Sequence, residues 1–416
     1  MDEYQMIDNN RKENKSVLKN VLLFCGGILL GALVVSVIFS IMIYRMTPAT
    51  VAASGEESSV LDDEVVHKLM LLENGINQYY LGDIDDDALE DSLYHGLIDG
   101  LDDPYSTYYS KEELDTVMES AEGIYYGIGA YIGLDSASGY CKITKVMEGT
   151  PAMVAGLMAE DIIVEVDGED MWGITTSEIV TYIKGPEHTT VELTIYREGE
   201  LDYLDIMVER RKIETPTVVY EIDEDKIATI QITEFDEITT EQFIESMEKA
   251  EQAGMKALVI DLRDNPGGSL STVVDIANEL LPKGLVVYTE DKEGNRQEYK
   301  CKGKNEIQVP VVVLVNGNSA SASEILAGAI QDYKKGTILG TTTFGKGIVQ
   351  KIFPMSDGSA LKLTISHYYT PAGNDIPGVG IVPDEELELD AEKYLEDGTD
   401  NQMERAKEIL LEQIGE

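Results

Sequence analysis

Basic residues are scarce. The 416-residue chain carries 32 Lys and Arg against 78 Asp and Glu, a formal charge of −46. No basic face is available to displace counterions from a phosphate backbone, which argues against a nucleic-acid partner and leaves a solvated, self-repelling surface as the meaning of the acidity. Cysteine is equally sparse, with Cys25, Cys141 and Cys301 widely separated. They make neither a disulfide framework nor a metal cluster, and no metal or nucleotide cofactor is indicated. Residues 83–87 have the acidity of a calcium loop, but the sixth and twelfth positions are Ala88 and Tyr94 where an EF-hand needs Gly and Glu. The single tryptophan, Trp172, reads as packing.

The hydrophobic content, 43%, is ordinary, and the length suits two or three domains. After a polar stretch at 1–20, residues 21–44 carry no charge. As a helix they would be about 36 Å long, enough to cross a hydrocarbon core of roughly 30 Å with some tilt. Arg11, Lys12, Lys15 and Lys19 precede the run, and after Arg45 no basic residue appears until Lys68. A transmembrane helix with a cytoplasmic N-terminus and an extracytoplasmic bulk is the expectation. Phe24 before Cys25 speaks against a lipoprotein site, and a buried core helix is the alternative reading of the run. Residues 45–60 read as a linker. From 61 to 119 apolar positions such as Val65, Leu69, Leu72 and Ile76 recur at helical spacing.

Residues 316–350 organise the rest. The β-branched run at 309–315 reads as a buried strand and Glu324 to Tyr333 as a helix, with Ser321 at the junction. A hydroxyl there sits beside free backbone N–H groups and the positive end of the helix dipole, a good place to form an oxyanion. The same residues also fit a Ser-x-x-Glu capping box. Both readings stand on this segment alone. Lys346 tips the balance, because the flanking Gly345 and Gly347 and the uncharged stretch 341–344 suit a desolvated amine able to act as a base. Gln350 follows four residues later, and a bend at 345–347 is needed to bring the two side chains together.

Two other stretches fit the same picture. Residues 120–209 change to short strands and turns, with Tyr126-Gly127-Ile128-Gly129 able to form a backbone nest for a peptide carboxylate next to a strand edge. Strands at 227–232 and 257–262 bracket a helix, and the second runs into Arg263-Asp264-Asn265-Pro266-Gly267-Gly268, a strand-turn-helix unit that presents amides at the sheet edge. A final stretch, 403–414, is apolar-periodic within an acidic tail. A docked helix, a homodimer contact and a solvated tail are all open for it.

The SASASEI and TFGKG segments, with the glutamine beyond, resemble the C-terminal processing peptidases, or tail-specific proteases, which use a serine/lysine dyad. The resemblance extends to LDDPYS at 101–106, which is similar to the family's LDPYS segment, to the NPGG loop, to the closing segments at 367–384 and to a bacterial PDZ domain. It implies Ser321 as nucleophile, Lys346 as general base, Gln350 as the residue orienting the lysine, and the amides of Gly267 or Gly268 with Ala322 as the oxyanion hole. The resemblance spans roughly 61–384; with the sequence on either side, the expected fold is a multidomain α+β chain: cytoplasmic N-terminus 1–20, transmembrane helix 21–44, linker 45–60, helical region 61–119, PDZ-like domain 120–209, crotonase-like α/β peptidase core 210–384 and acidic tail 385–416. The implied function is a serine endopeptidase that takes protein or peptide substrates with exposed C-termini, and the run at 21–44 would anchor it in the membrane. A non-catalytic PDZ scaffold is the alternative. A histidine triad is disfavoured: of His67, His95, His188 and His367 only the last lies in the core, and no acidic residue adjoins it to orient the ring. An acyl-CoA enzyme of similar fold is disfavoured by the expected extracytoplasmic location.

Overall fold

The structure, a computed structural model, describes residues 60–415. The run at 21–44 expected to cross a membrane lies outside them, and among the described residues no helix is long and apolar enough to do so.

The chain divides into two compact units. The smaller comprises described residues up to Asp102, with 107–110 and 352–362. Helix α1 (Asp63–Tyr79) is capped by Asp62, whose carboxylate accepts from the Glu64 and Val65 N–H groups, and α2 (Asp86–Asp99) is capped in the same way by Asp85. The periodicity that marks these helices in the sequence is real, yet neither helix fully buries a single residue. Strand β1 (Thr107–Tyr109) supplies the unit's buried ring, Tyr108, against which Tyr94 and His95 of α2 pack at 5.1 and 5.4 Å.

In the larger unit α3 (Lys111–Glu122) leads to β2 (Ile124–Gly127) and then to a sheet-rich module. The module holds β3 (Ala130–Leu134), β4 (Cys141–Val146), α4 (Pro151–Ala155), β5 (Ile162–Val166), β6 (Glu169–Asp170), α5 (Thr176–Ile183), β7 (Thr190–Tyr196) and β8 (Leu204–Glu209). The strands lie in the order β3-β4-β5-β7-β8, with β6 against β5. Alternation along β7 turns Val191, Leu193 and Ile195 inward onto Ile143, Ile163 and the α5 residues Ile179 and Ile183, all buried. Trp172 is not part of this core; it is two-thirds exposed. The chain leaves through β9 (Arg211–Glu214), which pairs antiparallel with β2.

A six-stranded sheet follows: β10 (Val218–Ile222), β11 (Ile227–Ile232), β12 (Ala257–Asp261), β15 (Val311–Val315), β16 (Thr337–Gly340) and β19 (Glu385–Glu386). All pairs except β10 with β11 are parallel. Crossover helices α6 (Thr239–Gln252), α7 (Leu270–Asn278) and α8 (Ala322–Asp332) cover one face. Alternation sends Val311, Val313 and Val315 to that face and Val312 and Leu314 to the other, so every residue of β15 is buried. The second face is closed by the C-terminal segment. Helices α9 (Ala391–Asp397) and α10 (Asn401–Gly415) end the chain, and Ala406, Ile409 and Leu410 of α10 pack on Val259, Val312, Leu314 and Leu339. The tail therefore docks on the sheet and is not simply solvated. Antiparallel β13 (Gly284–Asp291) and β14 (Arg296–Cys301) precede β15, while β17 (Ile348–Pro354) and β18 (Ala360–Tyr369) follow β16.

Candidate active site

β12 and β15 are parallel neighbours, so their carboxyl ends open on one sheet edge. The loops that leave them are stitched together. Ala320 N–H and Ser323 Oγ both donate to Asn265 O at 3.0 Å, and Ser319 Oγ donates to Leu262 O at 2.8 Å. Asn316 and Asn318 donate to Asp264 Oδ1 at 2.9 and 2.8 Å, which holds its carboxyl below the usual range.

These bonds separate the three serines of the motif. Ser319 and Ser323 are fully buried, and their hydroxyls are committed to backbone carbonyls. Ser321 is half-buried, at φ 54° and ψ −111°, a left-handed conformation that a residue with a Cβ adopts only under constraint. Its N–H donates to Glu324 Oε2 at 2.9 Å, so the capping box is made on its glutamate side. On the serine side Oγ lies toward the helix backbone but without the geometry of a side-chain cap bond. The hydroxyl is therefore not consumed by the cap.

Glu324 does more than cap. It has no solvent exposure, and Oε1 accepts from Thr343 Oγ1 at 2.6 Å and Gly345 N–H at 2.7 Å, while Oε2 accepts from Ser321 N–H and Lys346 N–H, each at 2.9 Å. Tyr368 Oη, buried on β18, lies 3.4 Å from Oε2 and donates to Ser321 O at 3.1 Å. Burial, then the Glu324 charge, pushes the Tyr368 phenol well up, so it stays a donor. One buried carboxylate thus ties the backbone of Ser321 to that of Lys346.

The bend expected at 345–347 is there: Gly345 has φ 86°, and β17 begins at Ile348 and carries Gln350. Gln350 Nε2 is buried with no acceptor among the described residues. The setting of Lys346 differs from the uncharged one read from its neighbours in sequence. Its Nζ lies 4.6 Å from the centroid of the Tyr105 ring, and the Asp103 carboxylate feels its charge. These groups come from a distant turn, which local sequence does not reveal.

Gly267 and Gly268, at φ 105° and 140°, run against the Ser321 loop and Phe235. A Cβ on Gly267 would come within 2.7 Å of Ser321 Cβ and 3.0 Å of Ala322 N, and one on Gly268 within 2.5 Å of Phe235 O. The two amides differ. Gly267 N–H donates to the buried Asn265 Oδ1 at 2.8 Å, whereas the Gly268 and Ala322 N–H groups have no protein acceptor among the described residues. His367 is exposed.

In the sheet-rich module Tyr126 and Gly127 belong to the β2–β9 ribbon, opposite Lys212 and Arg211. Ile128 and Gly129 follow it, with Gly129 at φ 82° against Thr150, where a Cβ would come within 2.4 Å. They lead directly into β3, the edge strand of the sheet.

Comparison with known proteins matches residues 226–387 to peptidase family S41 and residues 142–197 to a PDZ domain. The chain is 33% identical over 371 residues to the carboxy-terminal processing protease CtpA of Bacillus subtilis, covering 87% of this chain and 79% of that one. It is 37% identical over 306 residues to a carboxy-terminal-processing protease of Bartonella bacilliformis, covering 72% and 70%. Among solved structures, the photosystem II D1 C-terminal processing protease aligns with 77% of this chain and 86% of its own at 29% identity, with a TM-score of 0.45.

Proposed function

Because the chain belongs to peptidase family S41 and is a serine peptidase of the carboxy-terminal processing group, we propose that it cleaves peptide bonds with Ser321 as nucleophile and Lys346 as general base. The observation that carries this reading is the sorting of the three serines: only Ser321 has an uncommitted hydroxyl, at a strained junction tied through Glu324 to the lysine loop. Neutral Lys346 takes the Ser321 proton as Oγ attacks the carbonyl carbon, and the proton passes to the leaving amine as the C–N bond breaks. Water then hydrolyses the acyl-enzyme. Gln350 orients the lysine amine, whose many rotamers would otherwise blunt the transfer.

The Gly268 and Ala322 amides form the oxyanion hole in this reading, since Gly267 N–H is already engaged by Asn265. The PDZ domain takes an exposed C-terminus at Ile128 and Gly129 and extends it along the free edge of β3. Tyr126 and Gly127 flank this site from the ribbon. The uncharged run at 21–44, with basic residues before it, supports a single-pass anchor that leaves the peptidase extracytoplasmic.

The test compares cleavage of casein, a disordered protein, by the full chain and by Ser321→Ala and Ser319→Ala. Ser321→Ala should lower cleavage by at least about 10³-fold while leaving stability within about 1 kcal/mol. Ser319→Ala should keep the chemistry but lose about 1–3 kcal/mol, because Leu262 O and Asn316 N–H lose a buried partner. Cleavage surviving in Ser321→Ala would overturn the assignment. A wild-type chain that binds C-terminal peptides without cutting would mark a scaffold.

A further inference from the structure

The turn Asp103–Ser106 belongs to a segment that the sequence singles out and the dyad mechanism leaves unused. It lies in the larger unit with the site residues. We propose that this turn is a positioning element for the base, in which the Tyr105 ring face and the Asp103 carboxylate receive the Lys346 ammonium once it has taken the Ser321 proton. The inference rests on Lys346 being that base.

The geometry is specific. Lys346 Nζ sits 4.6 Å from the Tyr105 ring centroid, within the range at which an aromatic face attracts a cation. The backbone that carries the ring is held in place. Tyr105 N–H donates to Asp103 Oδ1 at 3.1 Å, Ser106 Oγ donates to Asp103 Oδ2 at 2.6 Å, and the buried Ser106 Oγ accepts from Thr364 N–H at 3.1 Å. Thr364 lies on β18, the strand that also carries Tyr368 and hence the hydrogen bond to Ser321 O. Cradle and nucleophile are therefore indexed to one strand.

Electrostatics point the same way. Burial alone would raise the Asp103 carboxyl; the bonds from Ser106 and Tyr105, with the Lys346 charge, outweigh it and hold it below the usual range. Asp103 is thus a fixed anion. Glu324 is a further charged group beside Lys346: it accepts the Lys346 N–H, and its oxygens are filled by backbone and side-chain donors. When the Ser321 proton moves to Nζ, the new positive charge meets the Asp103 charge and the Tyr105 face. An aspartate plays the corresponding part for the imidazolium of a histidine triad.

The experiment is the pH dependence of kcat and KM for casein cleavage by the full chain and by Tyr105→Phe, Tyr105→Leu, Asp103→Asn and Lys346→Ala. Both groups favour the ammonium, so losing either lets the amine deprotonate at lower pH. Tyr105→Leu should lower kcat by roughly 2- to 30-fold, the rate equivalent of a cation–π contact, with KM little changed and the acidic limb of the profile displaced to lower pH. Asp103→Asn, which keeps acceptor oxygen for Tyr105 N–H, should displace the limb in the same direction. Tyr105→Phe keeps the ring face and should follow wild type. An acidic limb that stays in place in both Tyr105→Leu and Asp103→Asn would overturn the cradle, and the Asp103→Asn profile decides alone if Tyr105→Leu fails to fold. Lys346→Ala separates the two ideas: residual cleavage at wild-type level would remove the base assignment and the cradle with it, whereas an inactive Lys346→Ala beside an unmoved limb would remove only the cradle.

Discussion

At the scale of single residues, Glu324 combines two jobs that are usually separate. As the fourth residue of a capping box it closes the first turn of α8, and as a buried acceptor it fixes the peptide groups of Gly345 and Lys346. A neutral amide cannot replace it, because one of its two positions would face donors with another donor. Glu324→Gln is expected to cost about 3 kcal/mol of stability and to lower cleavage more than tenfold, since small misplacements of reacting groups are amplified in rate. Thermal unfolding and casein cleavage read on the same preparation check both. The sequence makes half of this visible: Ser321, Lys346 and Gln350 form a motif with fixed spacing, and Glu324 stands in it as a cap. The rest is hidden because it depends on contacts between distant segments. Choosing between the Gly267 and Gly268 amides needs the side chain of Asn265, and the surroundings of Lys346 need a turn far up the chain.

At the scale of elements, the helices and strands of the core fall close to their expected positions, because period and turn chemistry mark them well. The second layer was less legible. A run such as Val311–Val315, apolar at every position, already implies cover on both faces, yet nothing local says which segment supplies it. The answer, α10, is held at its N-terminal end by Arg263. Its guanidinium pairs with Asp261 at 2.7 Å and with Asp400 at 2.8 Å, and Nη1 donates to Gln402 Oε1 at 3.0 Å. Arg263→Ala leaves two carboxylates without their cation, one of them buried, and should destabilise the chain by about 3–5 kcal/mol. Hydrogen exchange in 401–415 should rise first if the helix is released as a unit. Because Arg263 directly precedes Asp264 and the Asn265 that binds the Ser321 loop, the same variant should also slow cleavage.

For the molecule as a whole, the formal charge of −46 makes pH a strong variable, and one buried group gives it a defined sign. Burial, and then the Glu234 charge, pushes the Asp236 carboxyl from 3.8 up to about 6. A carboxyl raised in the folded state holds its proton longer there than in the unfolded chain. Its contribution favours folding at low pH and is lost as pH rises from about 4 through 6. Asp236→Asn should therefore stabilise the chain at pH 7 by about 1–3 kcal/mol and change little at pH 4, as urea unfolding at the two values would record. Asp236 lies beside Gly123, where a Cβ would come within 3.1 Å of the aspartate Cβ, and Gly123 O accepts the Thr215 N–H at 2.9 Å. That last bond has a wider meaning. The chain departs for the PDZ domain at Gly123 and returns at Thr215 as hydrogen-bonded neighbours, so the whole insertion begins and ends at one point in space. A module mounted in this way can be lost, gained or exchanged in descent while the polypeptide on either side keeps its path, and the peptidase core can be inherited independently of the reader attached to it.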